Sequence, residues 1–377
     1  MIYFDSAATT APFQTAIDAA NNAFSCFGNP SSLHSAGINA KKMLDIARKT
    51  VANSLYCKPD EIIFTSGGSE SNNQAIFGLA KLRIRRSKRI ITTDSEHPSV
   101  LNPLARLESE GFEIIKIPTI GGKLDIEYLE NALKDGAAFV TVMLANNETG
   151  AKYDIAAVRR AIDRSGCGAL LHCDAVQGFL KVKNPREISK YCDLASVSAH
   201  KIGGIKGVGA LYCKSGIKIQ PFIHGGGQEK NLRSGTENVA GIAAFAAACE
   251  EFPKHISHIS DLYDRAVALL SQYPEIIKLN LPESHIDSIL SISVSGMRSE
   301  VLLNALDLKG ICISAGSACS ARKGPSGALT AYGLSKAEID GTVRISFGAF
   351  NTLEEVEVLA QTIHTLAGNP PSSSAGV

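Results

Sequence analysis

Residues 169–204 read ALLHCDAVQGFLKVKNPREISKYCDLASVSAHKIGG. Two short apolar runs, 169–173 and 193–199, are each followed at once by ionisable residues: Asp174 after the first, His200 and Lys201 after the second. Short apolar runs without strict alternation suit strands buried on both faces. The same texture extends outward in EIIFT (61–65), RIITT (89–93), FEIIKI (112–117), AAFVTVML (137–144) and GALYC (209–213), each read as a short buried strand. Helical patterns lie between many of them, over 69–86, 99–110, 126–134 and 155–165. Strands alternating with helices predict crossover connections and a mostly parallel sheet covered on both sides, the α/β class. Ligands of such sheets bind beyond the carboxyl ends of the strands. The residues that follow each run are therefore the candidates for chemistry.

The texture changes after about residue 250. A long helix, ILSISV (289–294), a helix near 300–306, VRISF (343–347) and a last helix near 353–367 predict an α+β module. The expected organisation is a large domain over 13–250 and a small α+β domain over 251–368 joined by residues 1–12. Residues 369–377 read as a disordered Pro/Ser-rich tail.

Composition narrows the class. With 45% hydrophobic and 20% charged residues in 377, the chain has the make-up of an ordinary globular protein. A net charge of +1 gives no ground for nucleic-acid binding or for general attraction to an anionic membrane. One local exception is KLRIRRSKR (81–89), six basic residues in nine, read as a solvated helix end with an acidic docking partner as the alternative. The start, MIYFDSAATT, lacks the basic and apolar regions of a signal peptide. The small-apolar stretch 239–249 is too short to span a bilayer and reads as a packed helix. Nine cysteines, an odd number without a C-x-x-C pair, argue against a disulfide framework and against structural zinc. Reduced thiols in a cytoplasm are expected.

Lys201, directly after a predicted buried strand, either reaches solvent from a turn or serves as an amine nucleophile, for example in a Schiff base to an aldehyde cofactor. Asp174 stands 27 residues upstream. It is either a helix cap or the partner of a protonated ring nitrogen that keeps such a cofactor an electron sink. Gln177, three residues on, can face the same ligand. TSGGSESNN (65–73) joins a strand to a helix through two glycines, so Gly68 and Ser69 offer amides to a phosphate, with Ser198 and His200 able to complete the cradle. His97 in DSEHPSV is either an unliganded residue at a helix start or a ring stacked on the cofactor, and Asn147 in LANNETG can bond a ring substituent.

SAGSACSARKGPS (314–326) is the second chemical feature. Cys319 sits there among small residues with no apolar periodicity, as an exposed, reactive thiol would, and Arg322 and Lys323 favour its thiolate. Cys26, Cys173, Cys192, Cys213 and Cys249 read as buried small hydrophobes, and Cys312 in GICIS as core.

Taken together these residues resemble the cysteine desulfurases of the nitrogen-fixation and iron–sulfur-cluster group, in the class V aminotransferase superfamily. The motifs, in order, are YFDSAATT, GNPSSLHSAG, IIFTSGGSESNN, EHPSVL, NNETG, HCDAVQ, SAHKIGGIKGVGALY, GGGQEKNLRSGTEN, SAGSACS and VRISFGAFN, spread over nearly the whole chain. The resemblance implies the aspartate-aminotransferase-like fold of pyridoxal-phosphate enzymes and the conversion of L-cysteine to L-alanine. It makes Lys201 the Schiff-base lysine that also moves the substrate α-proton, and Asp174 the pyridinium partner. Gln177 and Asn147 become groups around the ring hydroxyl and ring edge, and His97 the stacked ring. Ser69, Ser198 and His200 become phosphate ligands, and Arg344 the clamp for the substrate carboxylate. Thr236 reaches the phosphate of a neighbouring subunit, which implies a homodimer. Cys319 becomes the nucleophile that takes the sulfur as a persulfide.

Gly327 stands where the family often has histidine, and Ala349 where it often has arginine. These departures leave the sulfur acceptor open between an iron–sulfur scaffold and a tRNA-thiolation enzyme. The alternatives are a lyase acting on selenocysteine or cysteine sulfinate, and a non-catalytic relative that kept the fold. The retained Cys319 opposes the first, and the intact Lys201, Asp174 and His97 oppose the second.

Overall fold

The computed structural model describes residues 1–315 and 326–368, so the expectations for Cys319, Arg322, Lys323 and the tail 369–377 lie outside the described residues. The chain opens with the two-residue strand β1 (Ile2–Tyr3). The main sheet takes β2 (Ile62–Thr65), β3 (Arg89–Thr93), β4 (Glu113–Ile117), β5 (Phe139–Met143), β6 (Leu170–Asp174), β7 (Leu194–Ser198) and β8 (Gly209–Cys213). Their order is β2–β8–β7–β6–β5–β3–β4. Only β8 runs against its neighbours, pairing antiparallel with β7 and β2; the other pairs are parallel. Each run anticipated over 61–213 is a strand of this sheet, and the α/β class holds.

Burial explains why these strands read as continuous apolar runs. β5, β7 and β8 are buried along their whole length, because helices cover both faces. His172 is the polar exception on β6. Its ring bonds Thr141 Oγ1 on β5 (2.8 Å) and Ser196 Oγ on β7 (3.1 Å), and burial lowers it to about 3, so it stays a neutral bridge across three strands. The run 112–117 departs from expectation. β4 is the end of the sheet, and Glu113 and Lys116 are exposed, as charges on an unpaired edge should be.

A second sheet runs β12 (Ser314–Ala315), β13 (Thr342–Ser346), β10 (Ile289–Val294), β9 (Ile277–Asn280), and β1 pairs in parallel with β11 (Ile311–Cys312). From β1 the chain crosses to the main sheet. Ser346 Oγ accepts the Ala7 amide (2.9 Å) at one end. At the other, Thr10 donates its amide to the His200 carbonyl (2.9 Å) and accepts the Gly203 amide on Oγ1 (2.7 Å). Gly203 has φ +81° and packs so closely that a Cβ would sit 2.2 Å from the Phe13 ring.

One sequence expectation is extended and one needs correction. The basic run is a helix end with Lys81, Arg85, Arg86 and Lys88 exposed, as expected, and several of its arginines also make bonds. The helix stops at Arg83, whose Nε donates to the Ala138 carbonyl (3.2 Å) and whose Nη2 donates to that of Gly168. Arg86 donates to the Cys167 carbonyl (2.6 Å), and Arg89 pairs with Glu113 (2.9 Å) and Asp135 (3.1 Å). Half of the run therefore ties the helix to neighbouring loops. Cys173, Cys192, Cys213 and Cys249 are buried as expected, but Cys26 and Cys312 are half-exposed. Cys26 follows a helix end, and Cys312 lies on a two-residue strand with a single strand partner.

The free edge of β2 is closed by Glu229. Its carboxylate accepts the Phe64 amide (2.8 Å) and pairs with Arg48, which also donates to the Ile62 carbonyl (2.9 Å). Glu229, Lys230 and Asn231 all have φ between 44° and 62°, so the loop holds three left-handed non-glycine residues in succession. Removing one partner of a buried pair leaves the other charge uncompensated and costs about 3–5 kcal/mol. Glu229→Ala is accordingly expected to lower the urea midpoint by a loss of that order. A drop below about 1 kcal/mol, the worth of an exposed pair, would show that the loop is held by other contacts.

Candidate active site

Beyond the carboxyl ends of the parallel strands lies a cavity of about 490 Å³. It brings together Lys201, Asp174, Gln177, Asn147 and His97, and also Gly68, Ser69, Ser198, His200 and Arg344. Thr236 lies outside it, exposed on the turn before the helix Val239–Glu251. Both ends of the segment bearing Cys319 meet the cavity. Ser314 and Ala315 line it, and Ser326 Oγ donates to the cavity residue Glu148 (2.6 Å).

Lys201 follows β7 in a short 3₁₀ turn, and its Nζ donates to the carbonyls of Ala7 and Ala8 (2.7 Å each). Asp174 ends β6. Its Oδ2 accepts from Asn72 Nδ2 (2.7 Å) and its Oδ1 from the Val176 amide (3.0 Å). Asp174 thus caps the turn that follows β6, and its carboxylate is held from both sides. Gln177 donates to the Ala7 carbonyl (2.8 Å).

His97 begins the helix Pro98–Ser109, where its Nδ1 accepts the Ser99 amide (3.1 Å). An amide can only donate, so the neutral ring carries its proton on Nε2. Burial, reinforced by Lys201 and opposed by Asp174, lowers its affinity for a second proton. Ser99 Oγ contacts the same Nδ1 (2.7 Å) and accepts from Asn72 (2.8 Å), so Asn72 joins the imidazole to the Asp174 carboxylate. His200 bonds Thr9 Oγ1 (3.1 Å) and is lowered to about 4 by burial and by the nearby lysines 201, 206 and 181.

The residues suit an anionic cofactor. The helix Gly68–Arg83 has no side-chain cap, so its first amides remain available at the cavity, where Gly68 and Ser69 lie. Ser198 Oγ is buried and has no hydrogen-bond partner among the described residues. Gly68 is required here by packing: a Cβ would come within 2.5 Å of Val176. That contact presses the helix start against the loop carrying Asp174 and Gln177.

Arg344 comes from β13 of the second sheet. Its Nη2 donates to Asp5 Oδ1 (2.8 Å) and its Nη1 to the Asn147 carbonyl (2.7 Å), while its buried Nε has no partner among the described residues. Asp5, Asn72, Ser99 and Glu148 were not singled out from sequence, although each lies in or beside a quoted motif.

Comparison with known proteins agrees with this architecture. The model of the family described as aminotransferase class V matches residues 2–359. The chain belongs to the class V aminotransferase family. Within that family it is 39% identical over 380 residues to cysteine desulfurase IscS of Dictyoglomus turgidum, covering 97% of this chain and 95% of that one. Among solved structures, a NifS-like protein superposes with a TM-score of 0.90 at 34% identity, covering 97% of this chain and 99% of the other. SspA in complex with cysteine gives 0.81 at 31% identity, with coverage of 93% and 100%.

Glu96, next to His97, supplies a pH test. Its Oε1 accepts from Thr93 Oγ1 and the Met143 amide (2.8 Å each), while Oε2 is buried without a partner among the described residues. Burial, with Asp174 and Asp94 adding to it, raises this carboxyl from its ordinary 4.5 to about 8. Between those values the folded state holds a proton that the unfolded state has lost, so stability falls as pH rises and levels off above the folded value. Glu96→Gln lacks this term. From about pH 5 to about pH 8 the wild type should lose stability relative to the variant, by up to about 1.4 kcal/mol per unit. A urea-unfolding difference that does not change with pH would show that Glu96 ionises freely in the fold.

Proposed function

We propose that this chain is a pyridoxal-phosphate-dependent cysteine desulfurase, which converts L-cysteine to L-alanine and takes the sulfur as a persulfide on Cys319. The observation that carries the reading is the meeting, at one cavity, of Lys201, Asp174, His97, Arg344 and both ends of the Cys319 segment. The relative from Dictyoglomus turgidum bears the same activity in its name, and a similar structure, that of SspA, was solved with cysteine.

Bound there, pyridoxal phosphate supplies an electron sink for charge leaving the substrate α-carbon, which weakens the Cβ–S bond. The amides of Gly68 and Ser69, with Ser198 and His200, would hold its phosphate. Asp174, fixed by Asn72 and the Val176 amide, would keep a proton on the ring nitrogen. Gln177 and Asn147 would bond the ring substituents, and neutral His97 would lie against the ring.

Arg344 receives the substrate carboxylate. Its side chain lines the cavity, and Asp5 holds the guanidinium plane in place. Lys201 Nζ takes the α-proton. The Cys319 thiolate then attacks the substrate sulfur: a new S–S bond forms, the Cβ–S bond breaks, Cβ takes a proton, and the α-carbon regains one from Lys201 to give alanine. The persulfide passes its outer sulfur to an acceptor protein, an iron–sulfur scaffold or a tRNA-thiolation enzyme.

The working form is a cytoplasmic homodimer in this reading. Thr236 is exposed, as a residue serving a neighbouring site would be, and Phe24, Phe27, Leu33, Ile38 and Ile46 present large apolar side chains to solvent. Among the described residues no helix is long and apolar enough to cross a membrane.

The test is to incubate the purified holoenzyme with L-cysteine in the absence of reductant. Alanine should form, and intact mass should show one added sulfur. Cys319→Ala should lose the added mass and at least 10²-fold of the alanine rate, by loss of the covalent nucleophile. Alanine formed equally well by the variant would remove Cys319 from the mechanism.

A further inference from the structure

Lys181 has no part in the mechanism above, and it does not line the cavity. It lies one layer behind, where its Nζ donates to Gln177 Oε1 (3.2 Å). The other end of that amide donates from Nε2 to the Ala7 carbonyl (2.8 Å). A carbonyl can only accept, so the amide nitrogen must face Ala7 and the amide oxygen must face Lys181. With both ends engaged, the second N–H of Gln177 is the donor left for a ligand in the cavity.

Two further observations mark Lys181 as placed for a purpose. First, residues 177 and 181 lie in a run of turns and not in a regular helix. Leu180, between them, is a buried non-glycine residue with φ +60°. The left-handed conformation costs an ordinary residue about 1–2 kcal/mol, and strain of this kind collects at functional sites. Second, Lys181 has no carboxylate partner among the described residues, yet the charges that bear on it are the cations Lys201, from the turn after β7, and Arg344, from β13. Lys181 in turn bears on His200. Burial first, then Lys201 and Arg344, lowers it to about 7. A half-buried amine that feels two cations suits a cavity that receives an anion.

We propose that Lys181 is a positioning residue: it locks the Gln177 amide so that an N–H donor faces the ring oxygen of the bound cofactor, and in its protonated form it adds positive charge near Lys201. The inference rests on the pyridoxal-phosphate reading given above. Positive charge there opposes the protonated form of the Lys201–cofactor linkage. Removing it should make that linkage hold its proton to higher pH.

The experiment follows the visible absorption of the purified holoenzyme across pH for the wild type, Lys181→Met, Lys181→Gln and Lys181→Arg. Below about pH 7, where Lys181 is protonated, loss of its charge should leave the Met and Gln variants with more of the protonated absorption form, moving the midpoint up by about 0.5–1 pH unit as expected for a neighbouring like charge. Lys181→Arg should return it to the wild-type value. In the same variants kcat should fall while KM for cysteine stays within about twofold, since Arg344 is untouched. If Lys181→Met does not fold, the Gln variant, which keeps a donor without the charge, carries the test. A wild-type protein with no cofactor absorption would sink the cofactor reading and this inference together. A loaded wild type whose midpoint is unchanged or lowered in the charge-free variants would overturn the role of Lys181 alone.

Discussion

The carbonyl oxygen of Ala7 accepts from Lys201 Nζ at 2.7 Å and from Gln177 Nε2 at 2.8 Å. These donors follow two neighbouring strands of the main sheet, whereas Ala7 belongs to the segment arriving from β1. The segment is fixed on one side by Ser346 and on the other by His200 and Gly203. It is therefore a strut between the two sheets. Arg344, which comes from the second sheet, faces residues of the main sheet because the strut sets that distance, and Asp5 on the strut holds Arg344 directly. Few side-chain contacts are needed once the backbone has been fixed in this way.

The parallel strands do the remaining placement. In a parallel sheet every carboxyl end lies on the same edge, so Thr65, Thr93, Met143, Asp174 and Ser198 end their strands on one side. The antiparallel strand β8 delivers its start, Gly209, to that edge, opposite both Thr65 and Ser198. The chain needs no unusual loop to assemble the cavity. What it needs is a second layer that holds each carboxylate and imidazole in one orientation, and Asn72 supplies it by joining Asp174 to the Ser99–His97 pair.

Much of this was legible in the sequence because buried parallel strands leave an unambiguous mark, the short apolar run followed by a polar residue. The strands over 61–213 and the residues beyond them could be read from that mark. The strut could not, because β1 is two residues long and its pairing with Ile311 and Cys312 spans almost the whole chain. Nor could the layer formed by Asn72, Ser99, Asp5 and Glu148: each sits in a recognisable motif, but a side chain that holds another carries no periodicity of its own. The bonds made by the arginines of the 81–89 run were not legible for a related reason. Charge density says where water is expected, while hydrogen bonds to the carbonyls of Ala138, Cys167 and Gly168 depend on loops far away in sequence.

The protonation pattern limits what the cavity can hold. His97 and His200 are both pushed towards the neutral form, by burial first and then by the lysines. Glu148 is raised to about 7 by burial, against the bond from Ser326 and the pull of Arg344. Besides these neutral imidazoles and a reluctant carboxylate, Asp174 and Asp5 line the cavity together with Lys201 and Arg344. Asp5 is already committed to Arg344 and Asp174 to Asn72 and an amide. Donors stand at two separated places, the first amides of the helix at Gly68 and the guanidinium of Arg344. That spacing supports the proposed reading, in which a cofactor phosphate would take the first place and a substrate carboxylate the second.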